Sequence, residues 1–293
     1  MERLDQYLFS KGFLPSRDSA QEDIKSGLVL VNGTICLKSG YKLKPTDIVQ
    51  YMGEGRQFVS RGAAKLLGAR EVFSLDFNGK ACIDVGASTG GFTQLMLSYG
   101  AKTVAALDVG HNQLDKILQT DPRVTEYSGV NFRAIPPQLQ GVLKDFDFLT
   151  MDVSFISVCL LAESVKTVLK ADGEAVILIK PQYEAGRGKL NKNGVLKDYS
   201  KHVEVIDKVT ACYRAAGFSV KGLTYSPLQG PEGNIEYLLY LQSKTSKPTG
   251  KEPTASEPTA SQEMATKPSD MDQNLSKSVA ESAFMAFSLK IRG

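Results

Sequence analysis

The stretch from Lys80 to Asp108 reads as a buried strand, a glycine-rich turn, a helix and a second strand ending in a carboxylate. Ala81-Cys82-Ile83 leads into Asp84-Val85-Gly86-Ala87-Ser88-Thr89-Gly90-Gly91-Phe92, and the run Val104-Ala105-Ala106-Leu107 closes on Asp108-Val109. Gly86, Gly90 and Gly91 let the main chain turn tightly and approach a ligand, and a carboxylate after the second strand can accept hydrogen bonds from ribose hydroxyls. The spacing is not the G-x-G-x-x-G of dinucleotide sites. Asp84, just before the turn, would repel a pyrophosphate, so a cationic adenosine compound fits better, and S-adenosylmethionine is the common one. The expected cofactor contacts are Asp84, Gly86, Ala87, Ser88, Thr89, Gly90, Gly91 and Phe92 from the turn, with Asp108 and Val109 from the second strand. A strand-turn-helix whose glycines serve only the bend is the plain alternative.

A second set of residues could do acid–base chemistry: Lys65, Asp152, Lys180 and Glu236. Each adjoins an apolar stretch, where a charge without a partner is costly. Mutual pairing would remove that cost. A ribose hydroxyl is a poor nucleophile that needs an acceptor for its proton, and a second lysine nearby can depress the first lysine's pKa into the range of a base. Singly, each of these residues reads as a surface charge or a structural ion pair. Together at the end of a sheet they suit methyl transfer to a ribose hydroxyl.

The elements that must position these groups alternate between strand and helix patterns from about residue 60 to residue 242. Phe146 to Met151, Val176 to Ile179 and Ile235 to Leu241 are apolar runs of strand length. Such alternation predicts a largely parallel sheet covered on both faces, with ligands beyond the carboxyl ends of its strands. Asp84, Asp108, Asp152 and Lys180 all fall at such ends, and Ser60 is placed to cap the helix that carries Lys65.

Residues 1–58 carry a different pattern. Leu4, Leu8 and Phe9 could share a helix face, Ser16 can cap a second helix with Ala20 and Ile24 inward and Gly27 at its end, and Val29, Val31, Ile35 and Leu37 flank the hairpin signal Asn32-Gly33. Ile48 to Tyr51 reads as a further strand. Together with Arg3-Leu4-Asp5 and Ser16-Arg17, these residues resemble the small S4 RNA-binding domain of a ribosomal small-subunit protein and of pseudouridine synthases. That resemblance makes Arg3, Lys11, Arg17 and Lys25 candidate phosphate contacts, with Arg61 beyond the linker Gly53-Glu54-Gly55. Interleaved Glu2, Asp5, Asp18, Glu22 and Asp23 admit the alternative of a solvated surface.

Residues 243–293 change character. Glu252-Pro253-Thr254-Ala255-Ser256 repeats at once as Glu257-Pro258-Thr259-Ala260-Ser261, and this composition predicts a disordered tail, with one short amphipathic helix over residues 280–291 that frays by default and has docking on the main domain or a partner as its alternative. The 293 residues, 42% apolar, suit one full α/β domain and a smaller one, and a net charge of +3 neither demands nor excludes a polyanionic partner. The four cysteines stand apart, as do His111 and His202, so neither a disulfide framework nor a metal site is expected. No apolar run approaches the ~20 residues that span a bilayer, which points to a cytoplasmic protein with no membrane partner.

Ser60-Arg61-Gly62, Asp84 to Phe92, Leu107 to Gly110, Asp121-Pro122-Arg123-Val124, Asp152 to Ile156, Lys180-Pro181-Gln182-Tyr183-Glu184 and Gly233-Asn234-Ile235-Glu236 resemble the TlyA family. Its methyltransferase domain is related to the FtsJ/RrmJ group. The resemblance covers about residues 1–242 and implies three parts: the S4-like domain (1–58), a seven-stranded Rossmann-like methyltransferase domain (59–242) and the tail (243–293). It also implies 2′-O-methylation of cytidine in ribosomal RNA, with rRNA or ribosomal subunits as partner and Lys65, Asp152, Lys180 and Glu236 matching a catalytic tetrad. Two departures stand out: Ala63 replaces a second glycine, and Ser128 stands where an acidic residue is common. The competing readings are a membrane-active haemolysin, whose only element would be the segment 280–291, and an RNA-binding assembly factor without catalysis, which would not need the four charged groups.

Overall fold

The computed structural model describes residues 2–14, 16–25, 27–51, 58–60, 62–230, 232–244 and 270–291. The linker 53–55, Arg61 and the repeats of residues 252–261 lie outside them.

In the N-terminal domain, helices α1 (Leu4–Ser10) and α2 (Arg17–Lys25) pack on each other, and a small sheet has the order β2-β1-β3, from β1 (Val29–Val31), β2 (Thr34–Ile35) and β3 (Val49–Tyr51). Leu4, Leu8, Ala20, Ile24 and Val29 are buried together. Phe9 departs from expectation: it is 46% exposed, because one residue beyond Leu8 lies about 100° round the helix from the buried stripe. Ser16 Oγ accepts from Ser19 N at 3.1 Å, as a helix cap does. Asn32 and Gly33 have φ of 54° and 74°, the left-handed pair of a tight hairpin. A Cβ on Gly27 would stand 2.7 Å from the Ala64 Cβ, so that glycine sets the close approach of this domain to the next helix.

That helix, α3 (Ala63–Phe73), opens the larger domain, followed by β4 (Ala81–Val85), α4 (Gly91–Ser98), β5 (Thr103–Asp108), the one-turn α5 (Lys116–Gln119) and β6 (Val124–Ser128). A second one-turn helix α6 (Pro137–Gln140) precedes β7 (Phe146–Met151), α7 (Ala162–Val168), β8 (Leu169–Ile179), α8 (Pro181–Glu184), α9 (Tyr199–Ala215), β9 (Phe218–Tyr225) and β10 (Tyr237–Ser243). The strands form one sheet, largely parallel as the alternation predicts and seven-stranded as the family resemblance implies, in the order β6-β5-β4-β7-β8-β10-β9. β4, β5 and β6 pair in parallel, as do β7 and β8, while β10 runs antiparallel to both β8 and β9. By internal packing the chain divides into residues 1–130 with 226–231, and residues 131–225 with 232–293. The first unit holds β4 to β6 and the second β7 to β10.

The tail departs from the expectation of a frayed end. Residues 270–291 form a helix, α10 (Asp270–Ile291), that packs on α9 and β9. Phe284 meets Tyr199 and His202 edge-on, Phe287 meets Tyr225, and Ser276, Ala280 and Ala283 are buried. Composition could not reveal this, since the apolar stripe needs the α9 surface to cover it. Among the described residues no helix is long and apolar enough to cross a membrane.

Candidate functional site

The first unit holds a cleft lined in part by Ala87, Ser88, Ala106, Asp108, Glu126 and Ser128, about 200 Å³ including its mouth. The chain turns after β4 through Gly86 (φ 79°), Ser88 (φ 49°) and Gly90 (φ 96°). Gly86 N and Ala87 N both donate to Leu107 O, at 2.8 and 3.1 Å, which holds the turn against the end of β5. Asp108 is pinned from both sides: its Oδ2 accepts from Ser88 N and its Oδ1 from Gly110 N, each at 2.8 Å. A carboxylate oxygen offers more than one lone pair, so the fixed group can still accept from a vicinal diol.

Of the predicted cofactor contacts, Ala87, Ser88 and Asp108 line the cleft. Gly86, Thr89 and Gly90 shape the turn, Gly91 and Phe92 open α4, and Val109 is exposed. Asp84 is buried and accepts from Thr93 Oγ1 at 2.7 Å, so it braces α4 against β4. Glu126 escaped the residue reading, and Ser128 entered it only as a departure from the family pattern. They share one face of β6 at the cleft, with Ser128 Oγ donating to Glu126 Oε1 at 2.6 Å. The cleft therefore does carry an acidic group on β6, two residues before the position where the family pattern places it. The donor set fits the nucleoside portion of S-adenosylmethionine, with a carboxylate for the ribose diol, further polar groups on β6 and small apolar walls.

In the second unit, Asp152 follows β7 and Lys180 follows β8, the carboxyl ends of two parallel strands. Lys180 is almost fully buried; its Nζ lies 2.6 Å from Asp152 Oδ1 and donates to Ser154 Oγ at 2.8 Å. Glu236 is buried just ahead of β10, and the antiparallel register Tyr237↔Ile179, continued by one residue, sets it beside Lys180. The phenol of Tyr183 is pushed above its ordinary pKa, mainly by burial and further by the negative charges of Glu232, Glu236 and Asp152, against a lowering hydrogen bond with Ser154. Its ring lies 5.1 Å from that of Phe155, which is 89% exposed on a backbone with φ of 66°. A bulky residue held at positive φ with its ring in solvent is an unusual arrangement.

The structure thus joins Asp152, Lys180 and Glu236. Lys65 lies in the first unit, on the first turn of α3 and half-buried. Ser60 does not act as that helix's cap; its Oγ accepts from Gly62 N at 3.0 Å, in the turn that precedes it.

The predicted RNA-facing residues separate into two kinds. Lys11 and Lys25 are exposed cations. Arg3 and Arg17 instead converge on Asp5, which is fully buried: Arg3 Nε and Nη2 hold its two oxygens at 2.9 and 2.8 Å, Arg17 Nη2 stands at 3.3 Å and Gln21 donates at 3.0 Å. Asp5 is no repelling surface charge but the anchor of both arginines. Arg3 first, opposed by burial, holds its carboxyl below the usual range. Because the folded-state pKa is lowered, this stabilisation is present above ~3.9 and is lost as pH falls.

Substituting Arg3 and Arg17 with Ala is expected to weaken RNA binding and to reduce the salt slope by about 0.7 to 0.9 per lost phosphate contact. The small domain should also melt earlier, since Asp5 is left buried without its cations. Replacing Lys11 and Lys25 should change the salt slope without the stability loss. Binding titrations at several salt concentrations, with calorimetric melts, check both; an unaltered slope in the arginine variant would make that face a bystander.

Residues 58–243 match the FtsJ-like methyltransferase family model and residues 2–49 the S4 domain model. The chain belongs to the FtsJ-like methyltransferase family. Its relatives place it in the TlyA branch. It is 36% identical over 246 residues to the 16S/23S rRNA (cytidine-2′-O)-methyltransferase TlyA of Mycobacterium tuberculosis, covering 84% of this chain and 91% of that one. It is 38% identical over 238 residues to hemolysin A of Brachyspira hyodysenteriae, covering 81% and 98%. Among solved structures, a candidate hemolysin from Streptococcus thermophilus matches with a TM-score of 0.70 and 36% identity, over 100% of this chain and 98% of that one.

Proposed function

We propose that the protein transfers the methyl group of S-adenosylmethionine to a ribose 2′-hydroxyl, that of a cytidine in ribosomal RNA. The observation that carries this reading is the buried Lys180, paired with Asp152 and flanked by Glu236 at strand ends of an FtsJ-like domain. When bound, the cofactor supplies an electrophilic methyl on a sulfonium, and the cleft at Asp108 holds its ribose. Lys180 Nζ, in its neutral amine form, accepts the proton of the 2′-hydroxyl as that oxygen takes the methyl, and Asp152, 2.6 Å away, stabilises the ammonium that results. Glu236 orients Lys180, and Lys65 is the fourth member of the tetrad that the resemblance to the family implies. The exposed Phe155 ring offers a stacking surface for a base splayed out of an RNA loop, while the S4 domain contributes docking without chemistry. The protein acts on the ribosomal subunits of the cytoplasm.

The hemolysin name of some relatives leaves the Lys180 cluster without a task, and an assembly factor would not need it. Mapping 2′-O-methyl groups on ribosomal RNA from cells with and without the gene tests the reading. A cytidine methylated only where the protein is present is expected; identical maps would sink it.

A further inference from the structure

We infer that Glu184 is a positioning residue for this transfer: its carboxylate bolts the turn that carries Lys180 to the loop that carries Asp152. The inference rests on the function proposed above. Lys180 stands at the entry of α8, a helix of only four residues closed by Tyr183 N to Lys180 O at 2.9 Å and Ala185 N to Pro181 O at 3.0 Å. One turn of helix is not stable by itself, because its few hydrogen bonds do not offset the cost of nucleation. The loop 152–157 carries Asp152, Ser154 and Phe155 outside any helix or strand. Both halves of the Lys180–Asp152 pair therefore sit on segments that need an outside anchor.

Glu184 supplies it at the far end of each segment. Its side chain is 1% exposed. Oε1 accepts from Val158 N and Oε2 from Ser157 Oγ, each at 2.7 Å, which fixes the end of the 152–157 loop. Lys208 on α9 reaches Oε2 at 3.3 Å and the Glu184 carbonyl at 3.2 Å, tying the same corner to a 17-residue helix. Charged acceptors make the stronger hydrogen bonds, and here one buried carboxylate takes three donors from two other segments. Glu184 lies four residues from Lys180 and acts on it only through the backbone of α8.

The test uses the full-length protein. Displacing a reacting group by about 1 Å can cost as much as ~100-fold in rate, so Glu184→Ala is expected to lower single-turnover methylation of ribosomal subunits by at least about tenfold. Cofactor affinity and half-saturation by RNA should stay within about twofold of wild type, which places the loss in kcat. Amide exchange in free protein should quicken by about tenfold or more over residues 152–158 and 180–185. Glu184→Gln keeps an acceptor for Val158 N and offers its amide to Ser157 Oγ, so it should recover the rate to within about threefold and restore slow exchange. A folded Ala variant with wild-type rate and exchange overturns the inference, as does a loss confined to cofactor or RNA affinity. Should the Ala variant not fold, Ser157→Ala carries the test, a rate loss of roughly three- to tenfold supporting the brace and an unchanged rate overturning it. If wild type itself does not methylate ribosomal RNA, the functional reading fails, while the exchange data still judge the brace.

Discussion

Lys180→Ala is expected to abolish nearly all methyl transfer while leaving cofactor and RNA affinity close to wild type. The lysine is nearly buried, lies 2.6 Å from Asp152 and donates to Ser154, and Glu236 adjoins it through the β8–β10 register. None of these contacts belongs to the Asp108 cleft, so binding of the nucleoside should survive the substitution. Acid–base assistance of this kind contributes about 10²- to 10⁴-fold in rate, and that is the loss expected in single-turnover transfer with purified ribosomal subunits. Lys180→Arg separates two roles. Arginine keeps the charge and can donate, but it does not give up its proton near neutral pH, so it should be as inactive as alanine if Lys180 accepts the hydroxyl proton. Activity in the arginine variant would mean that the residue only positions the substrate. A rate near wild type in Lys180→Ala would remove the proposed mechanism.

The second large effect is expected at Asp108. Its carboxylate is fixed by Ser88 N and Gly110 N before any ligand arrives, so little ordering remains to oppose binding. Hydrogen bonds to a charged acceptor contribute about 1.5 to 3 kcal/mol, and each 1.4 kcal/mol is tenfold in affinity, so Asp108→Ala should weaken S-adenosylmethionine binding by roughly tenfold or more. The loss of the two backbone anchors also frees the Ser88 turn, which adds to the effect. Titration calorimetry with the cofactor alone is the measurement, and an unchanged affinity would move the nucleoside out of this cleft. Asp108→Asn, which keeps one acceptor oxygen, should fall between the two.

Most of what makes this chain a methyltransferase-like protein was legible in its residues. The glycine turn between Asp84 and Phe92, the carboxylate after the second strand and the apolar runs of strand length are local signals, set by backbone freedom and by period. They sufficed for a largely parallel sheet and for Asp108 at a cleft, while the number of strands came from the resemblance to the family. Asn32-Gly33 and Ser16 were legible for the same reason, since a tight turn and a helix cap are decided within a few residues.

Tertiary structure alone decided which charges meet. Lys180 and Asp152 are 28 positions apart and Glu236 is farther still, and only strand order and register bring them into one cluster. The same holds for Asp5, whose neighbours in sequence suggested a solvated face until Arg17 and Gln21 arrived from the next helix. Glu184 gave no sign of its donors because two come from the loop after β7 and one from α9. The C-terminal helix is the clearest case: its short apolar stripe is too weak to hold a helix in water, and the faces of α9 and β9 that cover it cannot be read from the tail. Period and turn chemistry are properties of neighbours along the chain, whereas burial and pairing belong to groups that the fold alone makes neighbours.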